Sequence, residues 1–153
     1  MTEHELSGPD AVLRRVISAG GLAIQLPDSW QELLADEHLA VFVGDDPTTP
    51  DTGFAPTCVL TELPGVVTLE LWWEGLQQDT PGPLLLEGGE DETGFAASFS
   101  QVAEGMSVTG FVRGYRLPGR TVVVTVQFAT AVLDRYLPLA ARIGDSLEVE
   151  GLT

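Results

Sequence analysis

Two histidines, one cysteine and two acidic stretches are the residues here whose types could do chemistry. His4 stands in the polar opening MTEHEL and His38 in the turn DEHLA. Neither has a second His or Cys at ligand spacing, which a zinc site needs. His38 could act as a general base only beside a nucleophile, and no G-x-S-x-G elbow occurs to present one. Cys58 lies between Thr57 and Val59 in an apolar run. A reactive thiolate requires an electropositive setting, and this half of the chain is acidic, so Cys58 reads as a buried, inert thiol. Asp45, Asp46 and Asp51 form one acidic group, and Glu87, Glu90, Asp91 and Glu92 another. Calcium takes six to eight oxygens from a shaped loop, and neither stretch has EF-hand spacing. Both read as solvated turns. The expectation is no catalytic set, no cofactor and no metal.

The chain contains no lysine and no asparagine. Schiff-base, P-loop and Ser–Lys chemistry are thereby excluded, as is Asn-linked glycosylation. Arg113, Arg116 and Arg120 cluster around one hairpin and could meet an anion; surface pairing with the acidic loops is the simpler reading. Gly105, Gly110 and Gly114 fall on strands and precede no helix, so they mark bulges or close packing and not a phosphate cradle. Trp72 and Trp73 are adjacent, hence about 100° apart on a helix, so one can face a core while the other reaches its rim.

The 153 residues suit one domain, and 44% hydrophobic with 20% charged is a globular composition. Net charge is −16, with 18 Asp/Glu against two Arg in residues 1–92, and five of each in residues 93–153. A field of that sign repels phosphate backbones, so nucleic acid is not the expected partner. The apolar runs are too short to span a bilayer. The opening residues carry no signal-peptide pattern and no lipobox cysteine, and a single cysteine forms no intrachain disulfide, so cytoplasmic residence is expected.

The elements follow from periodicity. A short helix is expected over residues 11–18, on the stripe Val12, Leu13, Val16 and Ile17 behind Gly8-Pro9-Asp10. Strands are expected over 22–26, 39–43 and 57–63, with a loop or helical turn at 31–37 and a proline-rich loop at 44–56. Val66, Leu69, Trp72 or Trp73, and Leu76 recur at helical spacing, which predicts a helix over 66–79. Leu84–Leu86 leads into an acidic turn at 87–92. Strands then follow around Phe95–Phe99, over Met106–Tyr115 and over Arg120–Phe128, where Val122, Val124, Val126 and Phe128 share a face. The last element is a helix with Val132, Tyr136, Leu139 or Ala140, Ile143 and Leu147 on one side. Either the helix begins near Leu137 with Pro138 in its first turn, or Pro138 kinks a longer one. This order is α+β, a single domain over 1–153 with residues 1–19 as an extension and 20–150 as the core.

The segment Leu22-Ala23-Ile24-Gln25-Leu26-Pro27-Asp28-Ser29-Trp30 resembles the opening of the PsbP-like superfamily, shared by PsbP, a Ran-binding import factor, DcrB-type and LpqN-type proteins. So do Phe54-x-Pro56, the helix around 66–79, the three antiparallel strands and Ile143-Gly144-Asp145-Ser146-Leu147. The resemblance implies an antiparallel sheet covered by helices, an α/β/α sandwich, and usually no enzyme activity. It also implies an adaptor, assembly factor, ligand carrier or chaperone. The expected function is a non-enzymatic binding module, adaptor or chaperone-like, for a protein partner. Its surface would draw on Trp72, Trp73, Trp30, Glu70 and Glu74. A homodimer is a further possibility. The alternative is a carrier of a small apolar or lipid ligand in a sheet–helix cleft lined by Trp30, Phe95 and Phe128. An enzyme of unknown type is the third reading, and it would show a cleft carboxylate with a shifted pKa.

Overall fold

The computed structural model describes residues 13–17, 22–27, 30–33, 40–44, 55–79, 82–103 and 105–149. The strands are β1 Leu13–Ile17, β2 Leu22–Pro27, β3 Gln31–Leu33, β4 Ala40–Val43, β5 Thr57–Pro64, β6 Leu84–Asp91, β7 Gly94–Ala103, β8 Met106–Leu117, β9 Arg120–Ala129 and β10 Glu148–Val149. Helix α1 is Leu69–Asp79, and α2 is Leu133–Gly144 after a 3₁₀ turn at Thr130–Val132. Seven strands form one antiparallel sheet in the order β3-β4-β5-β9-β8-β7-β6, and β1-β2-β10 form a second, smaller one.

Strand β9 joins the two cores. Val122, Val124, Val126 and Phe128 alternate onto one face, where they meet Leu22, Ile24 and Leu26 of the small sheet and Leu139, Ala140 and Ile143 of α2. Val123 faces the other way, into a cluster with Phe95, Phe99 and Val112 that α1 covers. Among the described residues, the large sheet is thus sandwiched between unlike covers, helix α2 plus the small sheet on one face and helix α1 on the other. Buried Thr121 is satisfied on the α1 side: its hydroxyl donates to Gly65 O at 2.9 Å and accepts from Val67 N at 3.0 Å. That pair holds the connection from β5 into the helix.

Helix α1 starts at Leu69 because Thr68 caps it, its Oγ1 accepting from Leu71 N at 3.2 Å. Helix α2 begins well before Pro138 and keeps it as an exposed interior residue of one continuous helix, so the longer of the two expected helices is the one that forms. The expected helix at 11–18 is corrected: residues 13–17 are a strand, paired in register with β2 from Leu13↔Pro27 to Ile17↔Ala23. A stripe of Val and Ile serves either period, and a waiting partner strand decides the matter against local helix propensity. Residues 31–33 form a strand and not a helical turn. The acidic turn expected at 87–92 is instead mostly strand, because β6 runs on to Asp91 and pairs with β7 through both glycines. The expectations for Val12, the stretch 45–54, His4 and His38 lie outside the described residues.

Two glycines of β8 make room for the α1-side core. A Cβ at Gly110 would sit 2.4 Å from Phe99 Cζ, and one at Gly114 would sit 2.2 Å from Phe95 Cε2. Both phenylalanines are fully buried and cannot move aside. Gly114→Ala should therefore destabilise the domain by about 1–3 kcal/mol. Gly75→Ala in α1, where nothing lies within 4 Å, should stabilise it by about 0.5–1 kcal/mol. Urea denaturation of both variants checks the opposite signs; equal effects would contradict this packing.

Candidate functional site

The tryptophans divide by face. Trp72 is half-buried and wedged into the α1-side cluster, its ring 5.5 Å from Phe99 in an edge-on arrangement and 5.9 Å from Phe95. Trp73 lies 6.0 Å from Trp72 and is also half-buried. Its neighbours Glu70, Leu71 and Glu74 are exposed. Trp30 does not join this surface: it is 5% exposed, in the core on the opposite side of the sheet, with its ring against Gly44. A buried indole is a packing element and cannot be a docking residue, so the expectation for Trp30 is corrected. Nor do Trp30, Phe95 and Phe128 line one cleft. All three are buried, Trp30 and Phe128 in one cluster and Phe95 in the other, with the sheet between.

The expected arginine cluster is dispersed into separate pairs. Arg116 donates to Glu90 Oε2 at 2.6 Å and to Asp91 O at 3.1 Å. Arg120 is paired with Glu62. Arg113 lies over the Tyr115 ring at 5.2 Å and 3.8 Å from Asp145. Tyr115 in turn donates to Gly144 O, tying β8 to the end of α2. Burial pushes the Tyr115 phenol above its ordinary value, partly offset by Arg113. These contacts leave no convergent set of guanidinium groups for an anion.

A groove appears where the sequence suggested only a turn. Antiparallel partners share a face, so Glu87, Gly89, Ala96, Ser98 and Phe111 all look out on the α2 side of the large sheet. They line a trough of about 310 Å3. Small residues make up most of the lining, and Phe111 is its one aromatic ring. Register places Leu84, opposite Ser100, and Val102 on this same face, where they are 60% and 63% exposed. Helix α2 packs on β9 and β8, whereas β6 and β7 pack chiefly on each other, β8 and α1. Among the described residues this leaves the β6–β7 end of this face bare, while its reverse is covered by α1. The alternation of small residues in Ala96, Ser98 and Ser100 against Phe95, Ala97 and Phe99 was the available signal for it.

The β6–β7 turn that frames the groove is built by Asp91. Its Oδ1 accepts from Thr93 Oγ1 at 2.6 Å, Thr93 N at 2.8 Å and Gly94 N at 3.2 Å. Among the described residues, no group of three or more His, Cys, Asp or Glu could hold a metal ion. Also among them, no helix is long and apolar enough to cross a membrane.

These features define an α+β domain: one large antiparallel sheet with, among the described residues, two helices on opposite faces and a bare end beside one of them. The fold is PsbP-like. LpqN, described as involved in cell envelope biogenesis of Mycobacterium tuberculosis, superposes with a TM-score of 0.59 at 16% identity, over 89% of each chain. The cyanobacterial PsbP of Synechocystis sp. PCC 6803 gives 0.58 at 13% identity, over 90% of this chain and 92% of that one. PA94, a Pseudomonas aeruginosa protein of unknown function described as a putative regulator, gives 0.52 at 14% identity, over 83% and 90%. No protein-family model and no curated protein sequence matches the chain.

Two measurements check the local chemistry. Cys58 is fully buried, and burial drives its thiol well above the ordinary value. A thiol reagent at about pH 8 should label it only as fast as the domain opens globally; labelling at the rate of a free thiol would contradict that burial. The Asp91 carboxyl is held below its ordinary value of 3.8, chiefly by the Thr93 hydroxyl. A lowered folded pKa means that its contribution to stability is present above the ordinary value and fades as pH falls through the folded one. The stability gap between wild type and Asp91→Ala should thus be full at neutral pH and shrink in acid. A gap unchanged down to about pH 2 would refute the carboxylate's role.

Proposed function

We propose that this chain is a non-enzymatic binding module, adaptor or chaperone-like, for a protein partner, and that the bare β6–β7–β8 face is its contact surface. The observation that carries this reading is the trough of about 310 Å3 beside exposed Leu84 and Val102. Exposed apolar side chains that flank a shaped depression make a candidate interaction surface, which singly scattered ones do not. Sites for small molecules enclose most of their ligand, and this one is an open trough on a sheet face. Its lining supplies one carboxylate, Glu87, and one hydroxyl, Ser98. Catalysis would ask for a nucleophile with a base beside it, and Cys58 is sealed in the core. Net charge of −16 favours a basic partner and disfavours nucleic acid. Cytoplasmic residence is proposed with it, consistent with a lone buried cysteine.

The relatives do not choose the partner, since one is described by envelope biogenesis and another as a cyanobacterial PsbP. The test is site-specific photocrosslinking in the cells that make the protein, with benzoylphenylalanine placed at Leu84, at Val102 or at Leu71 on α1. One stoichiometric adduct from Leu84 and Val102, abolished by Val102→Asp when the crosslinker is at Leu84, is the expected result. An adduct from Leu71 alone would move the contact to the tryptophan helix. Silence at all three positions would remove the binding-module reading.

A further inference from the structure

Resting on that reading, we infer that the partner presents an extended basic segment, which adds to β6 as an eighth strand of the large sheet. Strand β6 is the last strand in the sheet order and is eight residues long, whereas the opposite edge, β3, has three. From Glu87 to Asp91 it keeps regular register with β7, the only shift falling between Leu85 and Glu87. A strand paired on one side presents a row of N–H and C=O groups on the other, and no described strand takes them up. Such an edge binds whatever extended chain its side chains admit.

Charge selects the occupant. Glu87 and Glu92 lie on the strand and its turn, and Glu70 and Glu74 are exposed on α1. Helix α1 starts over the same strand, since a Cβ at Gly88 would lie 2.9 Å from Leu69 Cδ2. None of these four carboxylates is ion-paired among the described residues, and Arg116 at this end is already engaged by Glu90. A second copy is disfavoured: an antiparallel pairing of two β6 strands about Gly89 would set Glu87 against Asp91, and like charges directly opposite destabilise a sheet. The same charges attract Lys and Arg.

Shape agrees with charge. Gly89 has no side chain, nothing within 4 Å of the place a Cβ would take, and pairs with Ala96 on the groove face. A residue added opposite Gly89 can lay a long aliphatic stem over Gly89 and Ala96. Its charged head then comes near Glu87, two residues along on the same face. The acidic edge therefore does two things: it bars self-association and reads a basic strand.

A decapeptide of alternating Arg and Val is the probe, with a second version carrying backbone N-methyl groups on alternate residues and the same charge. At saturation, those amides of Glu87–Asp91 that point away from β7, every second one, should exchange at least about tenfold more slowly by NMR. The N-methylated peptide should bind at least about tenfold more weakly, and Glu70→Gln with Glu87→Gln should weaken the unmodified peptide by a similar factor. Equal binding of both peptides, or no protection of β6, overturns the inference, because charge alone would then explain association. Protected β6 amides in a dimer without peptide overturn it as well. If the Leu84 and Val102 adduct forms while β6 gains no protection, the edge assignment fails and the binding-module reading stands; loss of both overturns both.

Discussion

Strand β9 is the constraint on which the rest depends. It is the middle strand of the large sheet, and apart from Arg120, Thr125 and Gln127 it is buried. Val122, Val124, Val126 and Phe128 support α2 and the small sheet, and Val123 and Thr121 support α1 and its approach. Apolar side chains on both faces of one strand force a three-layer arrangement, because each face must be covered. The covers differ in extent. Helix α2 and the small sheet shelter the β4-β5-β9-β8 region, while α1 shelters the opposite face toward β7 and β6. The bare trough is what remains between the reach of one cover and the edge of the sheet.

How much of this was legible in the sequence follows from which signals were local. The alternation in Arg120–Phe128 and in Phe95–Phe99 identified two strands and their inward faces, because a half-buried strand writes its face into every second residue. The helical spacing from Leu69 to Leu76 identified α1, and the Thr68 cap explains its later start. The α+β class and the PsbP-like fold were both readable from element order. Leu13–Ile17 was not, because Leu, Val and Ile satisfy either period, and only pairing with β2 settles it. Nor was the course of β6: Glu87-Gly88-Gly89-Glu90-Asp91 has turn composition, yet a ten-residue partner strand holds it extended.

The same cause hid the groove. Its lining residues come from three strands and are brought together by register, a property that no single segment carries. The tryptophan pair was conspicuous, but Trp72 is spent on packing against Phe95 and Phe99. That packing needs the side-chain-free backbones of Gly110 and Gly114 beneath the two phenylalanines. The spacing Gly110-x-x-x-Gly114 is therefore a record of ring size on the neighbouring strand, as Phe99 and Phe95 pair with those positions in register.

The β6–β7 end is thus asymmetric in a way that bears on function. On one face the rings of Phe95, Phe99 and Trp72 fill the space under α1; on the other Gly89, Ala96 and Ser98 leave it open. A sheet end packed on one face is supported from behind, so an occupant of the other face, as proposed, would meet a preformed surface. The Asp91 turn fixes the hairpin at one end of the trough, and Arg116 clamps Glu90 and the Asp91 carbonyl to β8. What stays unclamped is the outward backbone of β6 and the carboxylates beside it. Uneven charge along the chain, with every excess acid in residues 1–92, then acquires a spatial meaning. Strand β6 and helix α1 are elements of that half that meet at this end of the large sheet, and seven of its eighteen acidic residues stand on them and on the β6–β7 turn, beside a long edge that no described strand pairs.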